Sequence, residues 1–306
     1  MFELPRERSC FRLAPADHED GVLPADGADD VRQLGAVDGL GERMRLRRLG
    51  PEHDELRLEL GVRALEPSLT VLAPARIWGM TREELVAWAK ARHIPIPTDD
   101  PYTIDTNLWG RSIEKGVLED PWQESPEEIY TLTRPPRDCP GEPAYVEIEF
   151  DHGVPTRANG VEMPLVELIE SLETIAGAHG VGRIDMIENA ATGGKSREIY
   201  EAPAAVLLHT AHSELEKLVV PRDLERLSHE LGRAYADLVY NGRWFSATRE
   251  AIDAFMRTIQ PRVTGAVRLK LFKGDCRVVG RRSPLTVEAE KPSSALRPPP
   301  SEGSVH

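Results

Sequence analysis

Long apolar runs are missing from this chain of 306 residues. No stretch of about 18 apolar residues occurs, so no membrane-spanning helix is indicated. No basic segment followed by an apolar one opens the sequence, so export is not indicated either. Cysteine is scarce: Cys10, Cys139 and Cys276 are odd in number and far apart. That spacing excludes a disulfide framework or a zinc site of paired cysteines, and it predicts a reducing, cytoplasmic setting. Positive charge is outweighed, with 38 Lys and Arg against 51 Asp and Glu and a formal net charge of -13. Such a surface repels phosphate backbones, so nucleic acid is not expected as a partner. The basic runs Arg45-Leu-Arg47-Arg48 and Arg281-Arg282 are short and read as solvated faces. No internal repeat is visible.

What is present is the composition of a globular protein, 40% hydrophobic and 29% charged. The length suits one large or two modest domains. Residues 1–45 are rich in Asp, Gly, Ala and Pro and cannot bury enough apolar surface to offset ordering entropy, so this segment is expected to be disordered, with short helical turns near Val31–Leu34. Residues 285–306, with Pro298-Pro299-Pro300, read as a disordered tail. Between them, Asp54 to Leu65 has apolar residues at helical spacing and is closed by Pro67. Leu69-Thr-Val-Leu-Ala73 predicts a buried strand. Thr81 with Glu84 forms a capping-box pattern that opens a helix to about Arg92. Strand followed by helix marks 46–97 as the remnant of an α/β unit.

Pro95 to Gln123 is long, polar and without a clear period, which points to a functional or a disordered segment. Its Leu108, Trp109, Val117, Leu118 and Trp122 argue that it packs. From Tyr145 to Phe150 the apolar period becomes two, and the turn signals at Asp151-His-Gly153 and Asn159-Gly160 make an antiparallel meander. A strand over Gly182–Glu188 and helices over Leu165–Ala178, Ala204–Leu218, Arg222–Tyr240 and Ala247–Ile259 follow. Val263–Phe272 and Cys276–Val279 flank Lys273-Gly274 as a hairpin. The predicted fold class over 98–284 is α+β, an antiparallel sheet with packed helices.

Three patterns invite chemistry. Ala191-Thr-Gly-Gly-Lys-Ser196, between a strand and a helix, resembles a phosphate loop, but the glycine required five residues before Gly194 is Asn189. A turn that positions Glu188 is the better reading. His209 and His212, with Glu216 beyond them, have metal-ligand spacing on one helix, yet helical histidine pairs are more often idle, and no metal ligand is assigned. Glu119-Asp120 before Pro121 reads as a turn-capping element rather than a catalytic carboxylate pair.

Several longer blocks act together. Pro101-Tyr-Thr-Ile-Asp-Thr-Asn-Leu-Trp-Gly-Arg-Ser112 runs on through Ile113-Glu-Lys-Gly-Val-Leu-Glu-Asp-Pro121. Val181-Gly-Arg-Ile-Asp-Met-Ile-Glu-Asn189 leads into Lys195-Ser-Arg-Glu-Ile-Tyr-Glu201, and later come Ala234-Tyr-Ala-Asp-Leu-Val-Tyr-Asn-Gly-Arg-Trp244 and Leu269-Lys-Leu-Phe-Lys-Gly274. In these blocks, from about Asp54 to Pro284, the chain resembles the argininosuccinate synthase family.

The resemblance implies a ligase of arginine biosynthesis that joins citrulline to aspartate while ATP is cleaved to AMP and pyrophosphate. It implies ATP and Mg as cofactors and a homo-oligomer, a tetramer in the family. The family's citrulline contacts fall on Thr103, Ser112, Glu188, Tyr200 and Arg57, and an aspartate contact falls on Asp54. Glu188 suits an ammonium group and the hydroxyls suit uncharged polar atoms. Thr103 stands where the family has serine.

The sequence departs from the family in three places. The family's ATP-gripping loop has no counterpart in residues 1–50, so no ATP-binding residue is identified. The aspartate loop stands as Arg47-Arg-Leu-Gly-Pro-Glu-His-Asp-Glu-Leu-Arg-Leu-Glu59, with Pro51 at the family's lysine and His53 at its asparagine. After Pro284 the family's C-terminal arm gives way to an unrelated tail. The expectation is therefore a truncated or frameshifted relative that keeps the citrulline-binding domain, with a non-catalytic citrulline-binding or oligomerising partner as the alternative.

Overall fold

A computed structural model describes residues 53–72, 78–95, 101–189 and 194–286. The expectations for 1–45, for most of the 285–306 tail and for the turn at 191–193 lie outside the described residues. The chain divides into two units, Met1–Glu52 and His53–His306, and the second holds everything that follows.

The alternation at Tyr145–Phe150 becomes the middle strand of a sheet. β3 (Ala144–Asp151) buries Val146, Ile148 and Phe150. It pairs with β4 (Val154–Ala158) and with β8 (Gly265–Phe272), and β5 (Val161–Glu162) and β9 (Asp275–Arg282) complete the order β5-β4-β3-β8-β9. The turn residues are those the sequence offers: Asn159 and Gly160 take positive φ, 51° and 78°, which a tight hairpin requires. α3 (Leu165–Ala178) and α4 (Pro203–Val219) cover the apolar face, and their Leu168, Leu172, Leu207, Leu208 and Leu215 share one core with Val267, Leu269 and Leu271. The other face is a charged lattice, with Glu147 held by Arg268 at 2.8 Å and Arg282 at 2.7 Å.

The expected helices form. Before the sheets lie α1 (His53–Leu65) and α2 (Arg82–Ala91), the latter opened by the reciprocal Thr81–Glu84 capping box. α5 (Arg222–Tyr240) and α6 (Ala247–Ile259) follow α4, with Ser246 capping α6.

A second sheet has the order β1-β2-β7-β6, from β1 (Thr103–Asn107), β2 (Gly110–Glu114), β7 (Lys195–Glu201) and β6 (Arg183–Asn189). Every strand pairing among the described residues is antiparallel, so the α+β class holds. Three of these strands, β1, β2 and β7, depart from the sequence reading. The long polar stretch contains the β1–β2 hairpin, closed at Gly110, whose φ of 140° brings it so near that a Cβ would lie 2.2 Å from Glu201 O. Lys195 and Ser196 begin a strand where the sequence reading placed a turn.

The strand expected at Leu69–Ala73 is also corrected. Residues 69–72 form no strand, and Leu69 and Leu72 are exposed. An apolar run becomes a strand only when a neighbour completes its ladder, and among the described residues none pairs with it.

The second sheet hangs on Glu201, a fully buried carboxylate. It accepts from Thr131 N, Leu132 N and Thr133 N at 2.9 Å each, from Thr133 Oγ1 at 2.7 Å and from Arg111 Nη1 at 2.8 Å. On the same back face Ile113 and Ile199 join Leu118 and Ile129 in a small core. Glu201→Ala would leave the buried Arg111 guanidinium without its counter-charge and three amides without their acceptor, at a cost of about 3–5 kcal/mol in urea unfolding. A loss under about 1 kcal/mol would show that the loop is held by other contacts.

Candidate functional site

Strand register places the sequence-predicted residues. Across the second sheet, Asp105 faces Ser112, Ser112 faces Tyr200, and Tyr200 faces Ile184. The adjacent row runs Thr103, Glu114, Glu198, Met186, and beyond it Ser196 faces Glu188. Because side chains alternate with a period of two, Thr103, Ser112, Tyr200 and Glu188 all point to one face, opposite to Glu201 and its loop. Four of the five predicted citrulline contacts are thus brought together, although they come from four strands.

Side-chain geometry agrees with the register. The Tyr200 hydroxyl bonds Glu188 and lies 2.6 Å from Glu198 Oε2. Burial, then the acceptors Glu188 and Glu198, hold its phenol far above the usual range. Glu114 is also raised, first by burial and further by Glu198, Asp105 and Glu188, while Lys115 opposes the shift. The face is therefore acidic, half-buried and rich in hydroxyls. Chemically it suits a ligand that carries an ammonium group and neutral polar atoms.

Arg57 reaches the same region from α1. Its Nε donates to Tyr240 O at 2.9 Å and its guanidinium lies 5.2 Å from the centre of the Tyr240 ring. Tyr240 in turn donates to Asn189 O at 3.2 Å, at the end of β6 beside Glu188. Burial, followed by the charge of Glu188, pushes the Tyr240 phenol up to about 12. Asp54 lies in the first turn of α1, and its side chain is outside the described residues.

The sequence reading missed Glu198, Glu114, Asp105 and Tyr240 as members of this face. The first three were legible once Thr103–Glu114 and Lys195–Glu201 were taken as strands, since each sits two residues from a predicted contact on the same pleat. Tyr240 stood inside a matching block without any role attached to it.

The set-aside patterns turn out as follows. β6 and β7 are antiparallel neighbours, whereas a phosphate loop joins a strand to a helix. Asp120 accepts from Trp122 N at 2.9 Å, the turn-capping role expected of it. Among the described residues no group of three His, Cys, Asp or Glu side chains is arranged to hold a metal. His209 instead lies edge-on to Trp109, 5.9 Å between ring centres, and His212 Nε2 is 3.1 Å from Gln260 Oε1.

Comparison with known proteins gives the family. Residues 102–295 match the model described as "Arginosuccinate synthase C-terminal domain", and residues 48–95 match the "Arginosuccinate synthase N-terminal HUP domain". The chain belongs to the argininosuccinate synthase family. An argininosuccinate synthase from Symbiobacterium thermophilum is 53% identical over 240 residues, which are 78% of this chain and 60% of that protein. Those from a Synechococcus strain and from Dictyoglomus turgidum are each 52% identical over 240 residues, with the same coverage. The chain thus spans about three fifths of the length of the curated relatives it matches.

His212 supplies a pH test of the interior under the five-stranded sheet, where its ring lies 5.6 Å from that of Phe150. Burial lowers its imidazole from 6.5 to about 4. The unfolded state then binds more protons between those values, so this residue's share of stability is complete above about pH 6.5 and is lost as pH falls toward about 4. The wild type is expected to lose about 2 kcal/mol relative to His212→Gln between about pH 7 and pH 5, read from urea midpoints. A pH-independent difference would place a charged or exposed imidazole there.

Proposed function

We propose that residues 98–284 form the citrulline-binding domain of an argininosuccinate synthase, with Thr103, Ser112, Glu188, Tyr200 and Arg57 contacting citrulline and Asp54 contacting aspartate. The single observation that carries this reading is the gathering of Thr103, Ser112, Glu188 and Tyr200 on one acidic face, joined by the Tyr200–Glu188 hydrogen bond. Citrulline carries an ammonium, a carboxylate and a neutral ureido head. A carboxylate and a phenol suit the ammonium, hydroxyls suit the ureido group, and the Arg57 guanidinium is a cation close to the site. Set on strands with a fixed register, these groups orient the ureido end rather than merely attract the molecule.

The whole reaction in this reading is the ATP-dependent joining of citrulline to aspartate, in a cytoplasmic homo-oligomer. The described residues do not fit the triphosphate of ATP. The face is lined by Asp105, Glu114, Glu188 and Glu198, which repel a triphosphate, and no described turn joins a strand to a helix as a glycine-rich phosphate cradle does. No step of nucleotide chemistry is therefore placed on these residues. The same misfit favours a second reading, citrulline binding without catalysis, as a partner of a complete homologue.

Titration calorimetry with citrulline tests the shared core of both readings. Glu188→Ala is expected to weaken binding by about a hundredfold or more, the loss of a charge-assisted contact to the ammonium. Unchanged affinity would refute the site assignment. Pyrophosphate release from citrulline, aspartate and MgATP then separates ligase from binder.

A further inference from the structure

The Tyr200 phenol has one hydrogen and two carboxylates that want it. Glu188 and Glu198 both lie within hydrogen-bond reach of its oxygen, and a phenol donates to only one acceptor at a time. The two acceptors are not equivalent in the fold. Glu198 stands two residues from Tyr200 on β7, an inner strand between β2 and β6, so the pleat fixes their separation. Glu188 stands across the register on β6, the edge strand, one residue from its end at Asn189.

We propose that Glu198 is a positioning residue of the amino-acid site: it accepts the Tyr200 hydrogen, and so leaves Glu188 free to accept from the ammonium group of the bound amino acid. This rests on the citrulline reading of the face. In the unliganded site the hydrogen is drawn to both carboxylates. When an ammonium arrives it supplies Glu188 with donors of its own, and the phenol hydrogen settles on Glu198. No bond other than hydrogen bonds changes, and no proton leaves the site.

Without a charged acceptor at 198, the phenol turns to Glu188, because a carboxylate is the stronger acceptor. The ammonium must then compete with Tyr200 for Glu188. The other charged and titratable groups facing this exchange are Asp105 on β1, Glu114 on β2 with Lys115 beside it, and Tyr240 on α5 with Arg57.

The experiment compares citrulline with its α-deamino analogue, which lacks only the ammonium group, by calorimetry on the full chain. Glu198→Gln is expected to weaken citrulline about tenfold and to leave the analogue's affinity within about twofold of wild type. Glu198→Asp, which keeps the charge and shortens the reach, is expected to weaken citrulline to a similar degree. In a Tyr200→Phe background the effect of Glu198→Gln is expected to vanish, since no hydroxyl remains to redirect. Equal losses for citrulline and analogue, full affinity in Glu198→Asp, or an undiminished effect in the Tyr200→Phe background would each overturn the proposal. Should the wild type bind citrulline and Glu188→Ala fail to, while Glu198→Gln binds normally, the citrulline reading stands and this inference falls. If the wild type binds no citrulline, both fall.

Discussion

Five donors converge on one buried carboxylate, Glu201, and the site side of the molecule depends on that convergence. Arg111 and Arg183 stand opposite Glu201 in the register from β2 and β6, and Arg111 pairs with it at 2.8 Å. Arg183 carries the tie further, to Thr133 Oγ1 at 2.8 Å, to Glu127 at 2.6 Å and over the Tyr130 ring at 3.8 Å. A carboxylate removed from water is costly unless its lone pairs are satisfied, and here three amides, a hydroxyl and a cation satisfy them. The consequence is register. Tyr200 is the residue before Glu201, so a slip of one position on β7 would bury the phenol and expose the carboxylate. Holding Glu201 behind the sheet is what keeps Tyr200 in front of it.

The two faces of this sheet therefore do different work. Behind, charges are paired and apolar groups are packed, with Ile113 and Ile199 fully buried. In front, Asp105, Glu114, Glu188 and Glu198 gather around hydroxyls, and burial together with mutual repulsion raises Glu114. Unneutralised acid of this kind destabilises a fold slightly and favours a cationic ligand group. That balance explains why the face suits an amino acid's ammonium and why it does not suit a polyphosphate.

Much of this was readable from sequence. α3, α5 and α6 fall at the predicted residues because their apolar residues recur at helical spacing. The β3–β4 hairpin was legible because Tyr145–Phe150 buries one face against a core and leaves the other wet, the condition under which alternation shows. The β1–β2 hairpin was hidden for the opposite reason. Thr103-Ile-Asp-Thr-Asn107 is polar on the front face and nearly so behind, which leaves no apolar period to see. Leu69–Leu72 misled because an apolar run states a preference for burial without naming a partner. The gathering of Thr103, Ser112, Glu188 and Tyr200 was anticipated through a family resemblance, while Glu198 and Glu201 required the register itself.

A crystal structure of the chain soaked with citrulline tests the central claim most directly. The geometry predicts citrulline on the front face of the four-stranded sheet, its ammonium within hydrogen-bond distance of Glu188 and its other polar groups near Thr103 and Ser112. Citrulline bound elsewhere, or that face left to solvent at saturating ligand, would contradict it.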